Sequence, residues 1–298
     1  MQNKKYHLKR LKNELLSQSL KSDSDNTYGY TEIVTAAVND EDTFSNFRNN
    51  QQYKEILSHV SKQLAEKYYQ NIRNSLSHKE VIDICKRVNN FGNPQKFLIN
   101  GYSFCPSSLR YLNVALDVRE KFIDKEIKNI VEIGAGYGGQ ALILESFFEI
   151  ETYTFIDLQI VNSLIEKFIN LHSYNFEPYF YTIENFNKNN LFDLSISNYA
   201  FSELPKNLQK LALEKFINNS NNGYMLVNNF HDLSFRYLTK TGYQKNILKK
   251  IKIEDEIPES YPFNKLLYFW NYLITFLRVA FRNKYTCNTF GNLLNNLL

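Results

Sequence analysis

Residues 129–140, NIVEIGAGYGGQ, admit few folds. The apolar run Ile130, Val131 and Ile133 stops at the glycines Gly134, Gly136, Gly138 and Gly139. An apolar pattern with helical spacing starts at once with Ala141, Leu142 and Leu144. That order predicts a buried parallel strand, a tight turn and the N-terminus of a helix. Glycine lets a backbone approach a ligand closely, and the first N–H groups of a helix lack intrahelical partners. Such a turn therefore suits a nucleotide-like cofactor.

The alternation continues on either side. Strands are predicted at 129–133, 152–156, 177–183, 193–197 and 223–227, with helices over 138–149 and 160–171 and another opened by Pro205. Strands alternating with helices of this length predict an α/β fold with a doubly wound, Rossmann-like parallel sheet. Ahead of the sheet, residues 1–30 read as a polar arm. Tyr53, Ile56, Leu57, Val60, Leu64 and Tyr68 predict one helix over 53–68, a second covers 78–89, and Pro106 starts a third. Beyond 235 the alternating segment 246–256 reads as a half-exposed antiparallel strand. The organisation expected is a helical cap region over 1–118, a cofactor-binding core over 119–256 and a basic, apolar helical extension over 257–298.

Two cofactors fit the glycine pattern. Gly134, Gly136 and Gly139 satisfy G-x-G-x-x-G, and Asp157 follows at the end of the second strand, as in a nicotinamide dinucleotide domain. Glu132, Gly134, Gly136 and Gly138 satisfy E-x-G-x-G-x-G instead. An acid inside the strand suits a cationic sulfonium and ammonium ligand and would repel a pyrophosphate.

With FGNP and CPSSLRY ahead of VEIGAGYGGQA, then FIDLQIV and DLSISNYAFSELP, residues 91–232 resemble class I S-adenosylmethionine-dependent methyltransferases. Within that class they are similar to bacterial sugar O-methyltransferases of surface-polysaccharide gene sets. The resemblance implies S-adenosyl-L-methionine as cofactor and a sugar hydroxyl as acceptor. It implies that Asp157 binds the ribose diol, that Gly134 to Gly138 pack against the methionine part, and that the segment after the fourth strand lines the site. The cofactor-binding set is then Glu132, Gly134, Ala135, Gly136, Gly138, Asp157, Leu158, Asn198 and Tyr199. Alternatives are a NAD(P)-dependent oxidoreductase and a non-catalytic binding protein of the same fold.

Methyl transfer is an in-line displacement, so the site must hold the acceptor oxygen close, and a positioned base helps a hydroxyl react. His231 titrates nearest working pH and is the first candidate, with Glu203 second. A surface loop histidine and a helix-capping glutamate are the structural readings of the same two residues. Arg110, in the first turn of its helix, and Asp232 are candidate substrate-binding residues. Arg110 could equally be a salt-bridged surface arginine. Tyr199 suits stacking on adenine or packing on the sheet, and Asp193, at the far end of its strand, reads as structural. Glu203 and Asp232 could ligate a divalent metal, but no adjacent carboxylate pair supports one.

The formal net charge is +4, and residues 236–298 carry ten Lys/Arg against four Asp/Glu. That basic tail forms no clean stripe, since EDE and a long apolar run interrupt it, so nucleic acid is not an expected partner. Leu266–Phe281, broken only by Asn271, Thr275 and Arg278, is shorter than the roughly 20 residues of a membrane span. Within 261–281 it suits peripheral membrane contact, a homo-oligomer interface or a buried helix. Cys85, Cys105 and Cys287 are odd in number and widely spaced, which fits a reducing compartment. With no apolar signal core at the N-terminus, the expected location is cytoplasmic, with a peripheral inner-membrane association if the tail binds lipid.

Overall fold

The computed structural model describes residues 29–57, 60–188, 190–227, 246–248 and 252. His231, Asp232 and the 261–281 stretch lie outside them, as does most of the segment expected as an antiparallel strand.

The core is a five-stranded sheet of β3 (Asn129–Ile133), β4 (Thr152–Ile156), β5 (Glu177–Tyr181), β6 (Phe192–Asn198) and β7 (Ser220–Leu226). Its order is β5-β4-β3-β6-β7 and every pairing is parallel. The fold class is therefore α/β, with the Rossmann-like sheet expected. Parallel strands are covered on both faces, which is why β3 and β4 are buried from their second residue onward. Ile130 joins the core on one face, with Leu142, Tyr153, Leu164 and Phe168. Val131 and Ile133 join the other, with Phe192, Phe201 and Phe216. The strand order reverses between β3 and β6, and ligands of such sheets bind beyond the carboxyl ends at that switch point.

The connecting helices are shorter than the sequence predicts. The helix after β3, α7 (Gly139–Leu144), ends at Leu144 and continues as turns through Phe148. The later ones are α8 (Gln159–Ile169), α9 (Ala200–Glu203) and α10 (Lys206–Ala212), the last running into a π-helical turn, Leu213–Ile217. Asp193 is structural as read: its carboxylate accepts from the backbone N–H groups of Lys128 and Asn129 at 3.0 and 2.8 Å.

Ahead of the sheet lie α1 (Tyr30–Asn39), α2 (Glu41–Asn46), a 3-10 turn (Phe47–Asn49), α3 (Gln51–Leu57), α4 (Lys62–Ile72) and α5 (His78–Asn89). A hairpin of β1 (Phe97–Ile99) and β2 (Tyr102–Phe104) and the long α6 (Pro106–Lys121) follow. The single helix expected over 53–68 is two helices. Ser61 is the N-cap of α4 and accepts from the Leu64 N–H at 3.2 Å, so a new helix starts inside an unbroken apolar period. The 78–89 helix is present, opened by a capping box of Ser77 and Glu80.

The first helix packs on α8 through Val34 and Ala37, and one side chain of α8 also reaches its end and the helix after it. Lys167 Nζ donates to the carbonyls of Ala37 and Val38, both at 3.1 Å, pairs with Glu41 at 2.7 Å and lies 4.5 Å over the Phe44 ring. Among the described residues no helix is long and apolar enough to cross a membrane.

Candidate functional site

Three strand ends meet at the switch point: the glycine turn after β3, Asp157 after β4 and Tyr199 after β6. Gly134, Gly136 and Gly138 all have left-handed backbones, with φ of 78°, 62° and 82°. The alternation of these three matches E-x-G-x-G-x-G. At Gly134 a Cβ would fall 2.0 Å from that of Ala200, so any larger residue would force β6 and the turn apart. At Gly138 a Cβ would lie 2.9 Å from methyls of Ile165 and Ile169, which fixes how closely α8 packs beneath the turn. Over Gly136, by contrast, the nearest neighbour is the tip of Leu57 on α3, 3.3 Å from where a Cβ would be.

Asp157 is wired to this turn. Its Oδ2 accepts from the Gly136 N–H at 3.1 Å and its Oδ1 from the Leu158 N–H at 2.8 Å. A carboxylate offers about four lone-pair sites. Two backbone bonds orient it toward the turn. Asn162 holds the strand end in place by donating to the carbonyls of Asp157 and Tyr181, at 3.3 and 3.0 Å.

Glu132 lies just below the turn and is 2% exposed. Its carboxylate accepts from the Tyr153 hydroxyl at 2.7 Å. Burial pushes its pKa up, and the neighbouring Asp157 adds to the rise against the lowering effect of Tyr153, to about 8. Without a cation nearby this glutamate is neutral at pH 7. A positive ligand centre would draw the proton off.

On the β6 side, Tyr199 has φ 69° and ψ −34°, outside the regions a tyrosine ordinarily occupies. Such a conformation costs of order 1–3 kcal/mol and persists only where its surroundings hold it. Here the Tyr199 N–H is tied to the Leu226 carbonyl at 2.8 Å, and Arg110 places its guanidinium carbon 5.6 Å from the ring centre. Arg110 is not a surface arginine. It is 6% exposed and donates to the Leu57 carbonyl at 3.3 Å, so it ties α6 to the end of α3. Asn198 donates to Gln140 at 3.1 Å, and Gln140 in turn donates to the Tyr111 carbonyl at 3.1 Å. Glu203 ends α9, half-buried. It lies two residues ahead of Pro205, the N-cap of α10.

The structure thus groups Gly136, Asp157 and Leu158 by hydrogen bonds, sets Gly134 against the residue after Tyr199, and brings Arg110 to Tyr199. Ala135 is buried inside the turn. No geometry is described for His231 or Asp232. Among the described residues no group of three or more His, Cys, Asp or Glu could hold a metal ion. A cleft of about 320 Å³ lined by Arg119, Phe122, Lys128 and Phe147 opens at the start of β3, the opposite end of the sheet from these residues.

One side chain that the sequence does not single out braces the turn from outside. Arg48, 1% exposed, donates to the Tyr137 hydroxyl at 2.9 Å, to Cys105 Sγ at 3.4 Å and to the carbonyls of Val88 and Phe91. Its guanidinium carbon also lies 4.3 Å from the centre of the Tyr137 ring. Burial pushes the Cys105 thiol up, but Arg48 and hydrogen bonds from Ser107 and Ser108 outweigh it and lower the pKa.

No family model matches the chain, and no curated protein does. Among solved structures it is similar to a candidate RNA methyltransferase of Pyrococcus horikoshii, with 16% identity, 54% of this chain and 76% of that one covered, and a TM-score of 0.37. It is also similar to a second protein of Pyrococcus horikoshii OT3, with 13% identity, 50% and 86% covered, and a TM-score of 0.42. A third is an S-adenosylmethionine-dependent methyltransferase of Clostridium acetobutylicum, with 16% identity, 58% and 59% covered, and a TM-score of 0.33. With scores below 0.5 none of these likenesses carries weight, and the fold class rests on strand order and pairing.

Proposed function

We propose that the chain is an S-adenosylmethionine-dependent methyltransferase that methylates a sugar hydroxyl of a surface polysaccharide or its precursor. The observation that carries the cofactor is the Gly136–Asp157 hydrogen bond at the switch point. It couples a turn of three left-handed glycines to a carboxylate at the end of the neighbouring strand. Glu132 supports the same reading, because a buried carboxyl beneath the turn gains a partner from a cationic ligand and loses from a pyrophosphate. The residues present fit the group. Asp157 would hold the ribose diol, the turn at Gly134 to Gly138 the amino-acid end, and Tyr199 the adenine.

The cofactor would supply an activated methyl group on its sulfonium. The chain's own work is to exclude water and to hold the acceptor oxygen in line. Arg110, fixed against Tyr199, would position the acceptor, and His231 or Glu203 would take its proton. The choice of a sugar rests on the sequence resemblance over 91–232. It is tested by incubating the protein with methyl-labelled S-adenosylmethionine and a panel of nucleotide-linked and lipid-linked sugars. Label on a sugar hydroxyl is the expected result, and turnover on none of the panel would overturn the sugar assignment.

A further inference from the structure

Tyr53, on α3, is fully buried, and its hydroxyl has no hydrogen-bond partner among the described residues. Leaving a buried hydroxyl unpaired destabilises the fold, so its position calls for a reason. Its place in the fold supplies one. Residues four apart share a face of a helix, and Leu57, one turn after Tyr53, is the side chain that lies over Gly136. The face of α3 that carries Tyr53 is therefore the face turned to the glycine turn. The Tyr53 ring is wedged between Tyr30 of α1, 6.0 Å away, and Phe47, 4.9 Å away and edge-on, and Phe47 itself meets Tyr137 of the turn at 6.4 Å. Burial pushes the Tyr53 hydroxyl well up, with Tyr30, Tyr111 and Tyr137 adding to the rise and Arg48 opposing it. Tyr30 is raised by burial and then by Asp157. Tyr53 is thus neighboured by polar groups of α1, α6 and the turn, and one of them, Tyr30, is influenced in turn by Asp157.

We propose that Tyr53 is a cofactor-binding residue, whose hydroxyl donates to an acceptor oxygen of the cofactor lying on the Gly136 section of the turn. Helix α3 is then a wall of the pocket and not only a packing element. The proposal rests on the S-adenosylmethionine reading above and adds to it a contact that none of the sequence motifs contains.

The test is calorimetric titration of the full chain and its Tyr53→Phe variant with S-adenosylhomocysteine, together with melting of both without ligand. Affinity is expected to fall about tenfold in the variant, the loss of one hydrogen bond to a buried partner. The ligand-free variant should melt higher by roughly 2–4 °C, because an unpaired hydroxyl has been removed. Opposite signs in binding and stability are not expected of a merely structural tyrosine. Equal affinity in the two proteins would overturn the proposal while leaving the cofactor reading intact. No binding by the wild type would overturn both. Hydrogen exchange on the wild type alone decides the matter even if the variant does not fold. S-adenosylhomocysteine should slow exchange of the amides of residues 51–57, and unchanged exchange there would contradict the assignment.

Discussion

At the scale of single residues, the site depends on groups whose cost is visible without a ligand. Glu132 has a folded pKa of about 8 against an ordinary value of 4.5. Below 4.5 both folded and unfolded forms are protonated and it costs nothing. As pH rises from about 4.5 to 8 the unfolded chain ionises first, and stability is lost at up to roughly 1.4 kcal/mol per pH unit, levelling off above 8. Glu132→Gln should therefore flatten the fall in urea midpoint between pH 5 and 8 and leave the variant more stable than wild type at pH 8. An unchanged pH slope would show that Glu132 is not the buried acid responsible. Gly134→Ala is expected to destabilise by 2 kcal/mol or more, roughly, since its Cβ meets that of Ala200 at 2.0 Å on a left-handed backbone. A melting temperature within 1 °C or so of wild type would contradict the close approach. Glu132, the glycines and Asp157 were legible because motif spacing ties them to one turn. Tyr53 and Arg48 were not, since a buried tyrosine reads like any apolar residue of a helical stripe. Likewise an arginine gives no hint that four acceptors from distant segments will enclose it.

At the scale of elements, hydrophobic period and local capping chemistry compete, and capping decides where helices end. The apolar stripe from Tyr53 to Tyr68 has no visible break, yet Ser61 starts a new helix within it. Ser61→Ala should lower stability by about 1 kcal/mol, seen as a reduced urea midpoint with unchanged slope. No change would mean that tertiary packing alone sets the start of α4. The short α7 makes the complementary point: Phe147 and Phe148 continue the apolar pattern, but from turns, because burial asks only that a side chain face the core. Helix α1 escaped sequence reading for a different reason. Its last carbonyls accept from Lys167, far along the chain, and no local signal carries that contact.

For the molecule as a whole, the parallel sheet was legible because both of its faces are covered. Its strands read as apolar runs at a regular tempo, and the reversal at β3 and β6 falls where the glycine motif already lay. What the sequence could not show is how far the cap reaches into that site: Leu57 over Gly136, Arg110 under the end of α3, and Arg48 against Tyr137. The central claim is that this junction holds S-adenosylmethionine through Asp157. It is tested most directly by calorimetric titration of wild type and Asp157→Ala with S-adenosylhomocysteine and, separately, with NAD. Binding of S-adenosylhomocysteine by the wild type, no binding of NAD, and a loss of affinity of tenfold or more in the variant are predicted. Binding of NAD without S-adenosylhomocysteine would contradict the account.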